Sequence, residues 1–289
     1  MDINHPSVDN LISLALAEDI GSGDITTDAI VSQNAKGAAY VMAKEDMVLS
    51  GMGIFKRVFQ LVNPPSPPFF KGGLRGIKFK DRFKDGDLIK SVEKIIEVTG
   101  DMRTLLIGER TALNFLQRMS GIATHTKKFV DSVKAFKAKI IDTRKTTPAL
   151  RILEKYAVRC GGGINHRFGL YDGILIKDNH IKAAGGIIKA VKRVRDNAPY
   201  LKKIEVETKS LKEVKDALKC KVDVIMLDNM DIPTIKRAVR LINKVALVEV
   251  SGGVNLKNVV EIAATGVDYI SIGALTHSAR VVDISMEIK

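Results

Sequence analysis

The strongest constraint on the fold lies from about residue 138 onward, where short apolar runs alternate with amphipathic helical stretches. Several stretches between the runs, such as SLKEVKDALKC and IPTIKRAVRLI, have apolar residues three and four positions apart. Units of strand, helix and strand in series are typical of a parallel sheet, and this many units predict an α/β fold with a (β/α) barrel, incomplete or open. A doubly wound sheet is the competing interpretation, although the glycine-rich CGGGINH lacks GxGxxG spacing. The apolar runs are KIIDTRKT, GILIKDNH, KKIEVETKS, VDVIMLDNM, VALVEVSGG and VDYISIGAL.

The N-terminal third has a different pattern. NLISLALAEDIGSGDITTDAI begins as a helix and ends in glycine-rich turns, and alternating strand-like runs follow it, with turns at Gly86 and Gly100. We therefore predict a smaller α+β sandwich domain over residues 1–115 and a barrel domain over residues 116–277. The C-terminal tail, about residues 278–289, is expected to pack back on the first domain, and a long helix over about 103–135 to link the two.

A proline-rich insert at about residues 64–76 fits neither pattern. NPPSPPFFKGGLRGIKF contains four of the eight prolines of the chain, followed by three glycines. Proline sustains neither a helix nor a central strand, so the segment is predicted to be a surface loop. A ligand for a proline-recognition domain is the alternative.

Composition limits the classes of protein to which this chain can belong. At 289 residues with 45% hydrophobic content, the chain can bury a full core. Its longest apolar stretches are far short of the roughly 20 residues that a membrane span needs, and MDINHPSVDN lacks the pattern of a signal peptide. Two cysteines, Cys160 and Cys220, make no disulfide framework. A reduced, cytoplasmic protein with no membrane partner is expected.

The net charge of +13 is the one anomaly in the composition. Such charge can indicate nucleic acid, a membrane surface or small acidic substrates. The lysines are scattered along the chain, and the absence of Trp argues against a stacking platform for single strands. We therefore expect no nucleic-acid partner, and most of the charge is interpreted as a solvated basic surface.

Positive charge becomes informative where it follows a strand, as in IIDTRKTTP. Residues at the carboxyl ends of barrel strands meet in one mouth. That mouth would bring together Arg144, Lys145, Arg167 and Lys177, with His166 beside them. Arginine binds carboxylates or phosphates through paired, charge-assisted hydrogen bonds, so the cluster favours a substrate with several negative charges. The alternative is that these side chains fan into solvent or pair locally.

Two carboxylates, Glu207 and Asp228, end consecutive predicted strands. They could act as acid and base, could hold Mg²⁺ against a phosphate-bearing substrate, or could simply pair with neighbouring lysines. Glycine turns follow the last two strands, and phosphate sites in barrels are often built there. The five histidines show no HxH or HxxxH spacing, which argues against zinc. Spacing alone leaves a transferase or a lyase open.

Specific motifs then identify a family. The chain resembles the quinolinate phosphoribosyltransferases, also called carboxylating nicotinate-nucleotide pyrophosphorylases, over nearly its whole length. The central motif is long and highly specific, and the proline-rich insert is the one departure. The resemblance runs through EDIGSGDITT, ERTALNFLQRMSGIAT, DTRKTTPALRILEKYAVRCGGGINHRFGLYDGILIKDNHI, EVET, IMLDNM, EVSGGV and SIGALTHS.

The resemblance implies a reaction. Quinolinate, a pyridine dicarboxylate, attacks C1 of phosphoribosyl pyrophosphate, which gives nicotinate mononucleotide, pyrophosphate and CO₂ in NAD biosynthesis. It also implies site residues. Arg144, Arg167 and Lys177, with His166, would hold the carboxylates, and Lys145 would face the pyrophosphate-bearing substrate. Glu207 and Asp228 would serve the ribose and Mg²⁺. The implied substrate-binding set is completed by Thr143, Ser251, Gly252, Gly253, Gly273 and His277, several of them at the 5′-phosphate.

The resemblance further implies a homodimer with shared active sites, or a hexamer built from it. Arg110, on the long helix, matches an arginine that enters the neighbouring subunit's site. Without the resemblance, Arg110 would be interpreted as a charged side chain on the surface of a helix. The nearest rivals are molybdenum-transport-associated relatives, a nicotinate-using enzyme and a catalytically silent member of the family.

Overall fold

The computed structural model describes residues 5–62 and 76–289, and the chain divides into two units. The first unit takes the described residues up to His125 together with Thr147–Gly162 and Ala279–Lys289. The second takes Thr126–Thr146 and Gly163–Ser278. The sequence prediction puts the boundary earlier, at 115–116, and assigns residues 147–162 to the barrel. Apart from Gly76, the predicted insert at 64–76 lies outside the described residues.

The elements up to residue 132 are mainly short strands and helices, followed by one long helix that continues past the division at residue 125. Asp24 begins the second helix, since its carboxylate accepts a hydrogen bond from the Thr27 backbone N–H at 3.0 Å. In chain order the elements are α1 (Pro6–Ile20), α2 (Ile25–Ile30), β1 (Lys36–Ala43), β2 (Met47–Val48), α3 (Met52–Leu61), β3 (Lys78–Asp81), β4 (Leu88–Ile89), β5 (Lys94–Asp101) and α4 (Met102–Ser132).

The remaining elements follow the predicted alternation of strands and helices. Polar side chains cap the start of two of these helices: Ser210 accepts from the Glu213 backbone N–H at 3.3 Å and Asp231 from the Thr234 backbone N–H at 2.9 Å. The elements are β6 (Lys139–Ile141), α5 (Arg151–Cys160), β7 (Ile174–Ile176), α6 (Asp178–Ala184), α7 (Ile187–Asn197), β8 (Ile204–Thr208), α8 (Leu211–Lys219), β9 (Val224–Asp228), α9 (Ile232–Ile242), β10 (Leu247–Ser251), α10 (Val259–Ala263), β11 (Tyr269–Ser271), α11 (Ala274–His277) and β12 (Ile284–Ile288).

The second unit is organised around a six-stranded parallel sheet in the order β6-β11-β10-β9-β8-β7. Each strand from β7 to β11 lies beside its neighbour in sequence, and β6 pairs with β11. This is the cyclic order of a barrel left open between β6 and β7. An isolated parallel bridge joins Ile141 to Ile164 at the β6 edge. The prediction of an incomplete (β/α) barrel is therefore confirmed.

The first unit contains an antiparallel sheet in the order β12-β1-β5-β3 and a two-stranded pair of β2 and β4. Burial alternates along β1, where Ala39, Val41 and Ala43 are fully buried. The C-terminal strand β12 pairs with β1, and the Tyr40 hydroxyl donates to Glu287 at 2.7 Å across that pair. The smaller α+β domain predicted from the sequence is present.

Within the described ranges, no helix combines the length and apolarity that crossing a membrane requires.

A close approach of two backbones in the first unit involves Gly121 on α4. A Cβ atom added at Gly121 would lie 2.1 Å from the carbonyl oxygen of Arg280. Because that contact is with backbone, no side-chain rotation could relieve it. Glycine at this position thus permits the segment that leads into β12 to pack directly on α4.

We expect Gly121→Ala to lower the free energy of unfolding by about 1–3 kcal/mol, the usual cost of overpacking a tight site. Urea denaturation measures it. The matched control is Asn114→Ala at an exposed position of the same helix, which should change stability by no more than about 0.5 kcal/mol. Equal stabilities for the two variants would contradict the close packing at Gly121.

Candidate active site

A cavity of about 660 Å³ opens in the second unit, lined by residues at the carboxyl ends of the parallel strands. It brings together every predicted site residue except one. Arg110 lies exposed on α4 in the first unit and does not line this cavity. The predicted residues that line it are Thr143, Arg144, Lys145, His166, Arg167, Lys177, Glu207, Asp228, Ser251, Gly252, Gly253, Gly273 and His277.

Asp142, directly after β6, organises one side of the cavity. Its side chain is fully buried and accepts hydrogen bonds from Asn165 Nδ2 at 2.6 Å and from the His166 backbone N–H at 2.8 Å. The backbone N–H of Asp142 in turn donates to the Ile164 carbonyl at 3.1 Å. These bonds hold the loop after α5 against the end of β6, which positions His166 and Arg167 beside Arg144.

Positive charge is crowded at Arg167. Burial, and next the neighbouring Arg144 guanidinium, lower the pKa of Arg167. An arginine remains protonated at neutral pH in any protein site, so the cost of holding the two cations together is not relieved by loss of a proton. One donor of Arg167, Nη1, bonds the Gly173 carbonyl at 2.9 Å and orients the side chain. An anion between the two guanidinium groups would relieve the repulsion.

The two predicted carboxylates lie in the same cavity. Burial, and next the charge of Asp228, raise the pKa of Glu207. Lys177 Nζ lies 3.8 Å from Glu207, too far for a hydrogen bond, and Asp228 accepts one from Asn229 Nδ2 at 3.0 Å. The pair therefore concentrates negative charge that its described neighbours offset only in part, as expected of residues that hold a hard cation or ribose hydroxyls.

The turn after β10 requires glycine. Gly252 and Gly253 have φ angles of 90° and 62°, in the left-handed region that glycine adopts readily. A Cβ atom at Gly252 would lie 2.2 Å from Asn229 Oδ1. The Gly253 carbonyl accepts from the side chains of Asn255 at 3.2 Å and Asn258 at 3.0 Å, which fixes the turn.

The next turn, after β11, is held to the β6 loop. Thr276 Oγ1 donates to the Lys145 carbonyl at 2.7 Å, and a Cβ atom at Gly273 would lie 3.1 Å from both His277 Nε2 and Lys145 Cδ. Gly273, His277 and Lys145 are thus close neighbours. Cationic and glycine-rich elements lie side by side, as anion recognition requires.

Sequence reasoning missed several polar residues of the site. Lys209 lines the cavity and pairs with Asp178 at 2.8 Å. Glu249 also lines it, and Glu205 contacts His166 at 2.9 Å between Glu205 Oε2 and His166 Nε2. A signal was available for Glu205, because alternation along a strand places it on the same face as Glu207.

The geometry suits a multiply anionic substrate. Five cationic side chains and four carboxyl groups line the cavity, and the remaining surface includes two glycine turns. Cations can hold carboxylates and stabilise a departing anion, while the carboxylate pair can bind ribose hydroxyls or a metal ion. These capabilities fit group transfer between an acidic acceptor and a phosphorylated donor.

Comparisons with known proteins agree with this geometry. The family model of the quinolinate phosphoribosyl transferase C-terminal domain matches residues 122–287, and that of the N-terminal domain matches residues 24–120. A probable nicotinate-nucleotide pyrophosphorylase (carboxylating) from Bacillus subtilis is 43% identical over 286 residues, covering 99% of this chain and 95% of its own. A mitochondrial quinolinate phosphoribosyltransferase (decarboxylating) from Nicotiana tabacum is 42% identical, covering 98% of this chain and 83% of its own.

A solved structure extends the similarity to three dimensions. The crystal structure of NadC from Streptococcus pyogenes superposes with a TM-score of 0.93 at 41% identity, covering 100% of this chain and 99% of that one. The two family models together span most of the chain, and the cavity lies within the matched C-terminal domain. The chain belongs to the quinolinate phosphoribosyltransferase family.

Proposed function

We propose that this protein transfers the phosphoribosyl group of phosphoribosyl pyrophosphate to quinolinate with loss of CO₂, giving nicotinate mononucleotide and pyrophosphate for NAD biosynthesis. The observation that carries the proposal is the convergence of Arg144, Arg167 and Lys177 in one cavity with the carboxylate pair Glu207 and Asp228. The cations would bind the two carboxylates of the acceptor, and the carboxylate pair would bind the ribose and Mg²⁺ of the donor complex. Membership of the family indicates which reaction joins the two substrates.

Quinolinate carries two adjacent carboxylates, and two adjacent guanidinium groups are their natural complement. Arg144 and Arg167 would each form charge-assisted hydrogen bonds to a carboxylate, on the order of 1.5–3 kcal/mol apiece. Lys177 and His166 line the same cavity. The repulsion that lowers the pKa of Arg167 would be relieved by the bound dianion, which makes binding selective for dicarboxylates.

The donor would occupy the other side. The turn Ser251–Gly253 and the residues Gly273 and His277 would bind the 5′-phosphate, with Thr143 and Lys145 at the pyrophosphate end. The left-handed glycines keep side-chain bulk out of the phosphate position. Lys145, beside Gly273 and His277, would place positive charge where the leaving group develops its negative charge.

Glu207 and Asp228 are the residues that would hold Mg²⁺ and the ribose hydroxyls. They fit the ion because the proximity of Asp228 contributes to the raised pKa of Glu207, and a cation would offset that repulsion. Magnesium also habitually takes one or two protein carboxylates together with substrate oxygens. When bound, the ion would neutralise charge on the pyrophosphate.

The chemistry proceeds by displacement followed by decarboxylation. The pyridine nitrogen of quinolinate forms a bond to C1 of the ribose as the C1–O bond to pyrophosphate breaks, with both electrons leaving on oxygen. The ring becomes a pyridinium, and the 2-carboxylate departs as CO₂, leaving its bonding electrons on the ring carbon. A proton then completes the mononucleotide. A cationic side chain near that carbon, Lys145 or Lys177, would stabilise the electron pair.

The functional unit in this proposal is a homodimer with shared active sites, alone or within a hexamer. Its support is the family match of the segment around Arg110, whose exposed side chain belongs to a different unit of the chain from the cavity.

We also propose a cytoplasmic location, since both cysteines are free thiols.

Turnover of quinolinate with phosphoribosyl pyrophosphate and Mg²⁺ tests the reaction. Mononucleotide and CO₂ should form in equal amounts, because decarboxylation depends on prior ribosylation of the ring. A parallel assay replaces quinolinate with nicotinate, which lacks the second carboxylate. Product from nicotinate alone would indicate a non-carboxylating relative, and no product from either would refute the proposed reaction.

Arg144→Ala should reduce kcat/KM for quinolinate by at least about thirtyfold, equivalent to ~2 kcal/mol, since one charged partner of the substrate carboxylates is lost. Steady-state kinetics measure the change. Arg237→Ala, an exposed arginine on α9, is the matched control and should leave kcat/KM within about twofold. Near-normal turnover in Arg144→Ala would remove this residue from the carboxylate site.

Complementation tests the shared site. Arg110→Ala and Glu207→Gln should each be nearly inactive as pure homodimers. Co-expressed in equal amounts, they should recover about a quarter of the wild-type activity, because half the dimers are mixed and one of their two sites is intact. Co-expression that recovers nothing, from variants that still dimerise, would show that Arg110 does not act in the partner's cavity.

A further inference from the structure

Two buried glutamates, Glu205 and Glu249, form a trio with His166 at the cavity and have no role in the proposed reaction. Glu249 is only 2% exposed and Glu205 8% exposed, which is unusual for glutamates. Glu205 lies on β8, two residues before Glu207 and on the same face, and Glu249 lies on β10, opposite Met226 of the intervening strand. The trio therefore lies at the inner face of the sheet, and Glu249 forms part of the cavity wall.

The hydrogen bonds of His166 determine its tautomer. Nδ1 accepts the backbone N–H of Arg167 at 2.8 Å, so this nitrogen carries no proton. Nε2 lies 2.9 Å from Glu205 Oε2 and must donate its proton there. Both ring nitrogens are thus committed to protein groups. The imidazole could offer an N–H to a substrate carboxylate only by giving up the bond to Glu205, which makes positioning of Arg167 the better account of its place in the site.

The two glutamates share one buried space. One carboxylate oxygen of each and a ring nitrogen of His166 all lie within 4.8 Å of one another. Oε1 of Glu205 and Oε1 of Glu249 are buried, and neither meets a donor in the described part of the chain. Two carboxylates this close cannot both be charged at low cost, whereas one proton between them satisfies both oxygens.

Glu249 is the member that retains the proton. Glu205 already accepts the Nε2–H of His166 at 2.9 Å. Glu249 lies further from His166, with its Oε2 3.8 Å from Nε2. Burial, and next the charge of Glu205, raise the pKa of Glu249 well above its ordinary range.

We propose that Glu249 is a positioning residue of the quinolinate site: as a neutral carboxylic acid it donates a hydrogen bond to Glu205, which holds His166 as its Nε2–H tautomer against the backbone of Arg167. The inference rests on the proposed function for the identity of the substrate. The neutral acid also spares the cavity that holds Arg144 and Arg167 a further negative charge. An ionised Glu249 would make the cavity less positive and so weaken the binding of a dicarboxylate.

Two neutral replacements of similar size separate hydrogen bonding from packing. Glu249→Gln can still donate to Glu205 through its amide and should keep the quinolinate KM within about threefold of wild type. Glu249→Met cannot donate, and we expect its quinolinate KM to rise at least about tenfold, as when one hydrogen bond to a charged group is lost. The KM for phosphoribosyl pyrophosphate should stay within about threefold in both variants, because the donor lies against other residues.

A spectroscopic readout needs no substrate. The ¹⁵N–¹H correlation spectrum of the imidazoles should show His166 as a neutral Nε2–H tautomer in the wild type and in Glu249→Gln, but a mixture of states in Glu249→Met. His166→Ala assigns the signal. If quinolinate is not turned over by the wild type while this pattern holds, the proposed function fails and the positioning network stands. If turnover is normal and the pattern is absent, the network alone fails.

Two results would overturn the proposal. A Glu249→Gln variant as impaired in quinolinate KM as Glu249→Met would show that the residue acts through its charge. Stoichiometric divalent metal in the purified wild-type protein that is lost in Glu249→Gln but retained in Glu207→Gln would show that the trio binds a cation, since His, Glu and Glu are also plausible metal ligands. Absence of such metal is the result that we expect.

Discussion

Repulsion between two guanidinium groups is the physical constraint on which the rest of the site depends. Arg144 follows β6 and Arg167 lies in the loop after α5, and their proximity contributes to the lowered pKa of Arg167. Such an arrangement is unfavourable in the empty protein and has to be imposed by the scaffold. Asp142 keeps the two arginines close, because its buried carboxylate holds the loop that carries Arg167 against the end of β6.

The parallel sheet supplies that scaffold. Its strands end at one edge, so residues separate in sequence arrive in one cavity with their backbones fixed by neighbouring strands. Charge is then distributed by position: the arginines follow β6 and α5, whereas Glu207 and Asp228 end β8 and β9. Separation of the two kinds of charge lets one cavity accept both a dicarboxylate and a phosphorylated sugar.

Much of this arrangement was predictable because strand ends are visible in a sequence. An apolar run followed by DTRK or LDN marks where a strand stops, and the barrel rule then places those residues together. The buried carboxylate of Glu249 carries no comparable mark. Glu249 in VALVEVSGG could equally have faced solvent, and its contact with Glu205 depends on the register of three strands. The C-terminal tail was expected to pack back on the first domain, but its pairing with β1 was hidden, because antiparallel pairing between distant segments leaves only a period-two pattern.

Binding of quinolinate in the absence of the donor tests the central claim most directly, namely that the paired cations exist to hold a second carboxylate. Titration calorimetry would compare quinolinate with nicotinate on the same protein. The account predicts that quinolinate binds at least about tenfold more tightly, the value of one additional charge-assisted hydrogen bond. Equal affinities for the two acids would contradict it, because Arg144 and Arg167 would then gain nothing from the second carboxylate of quinolinate.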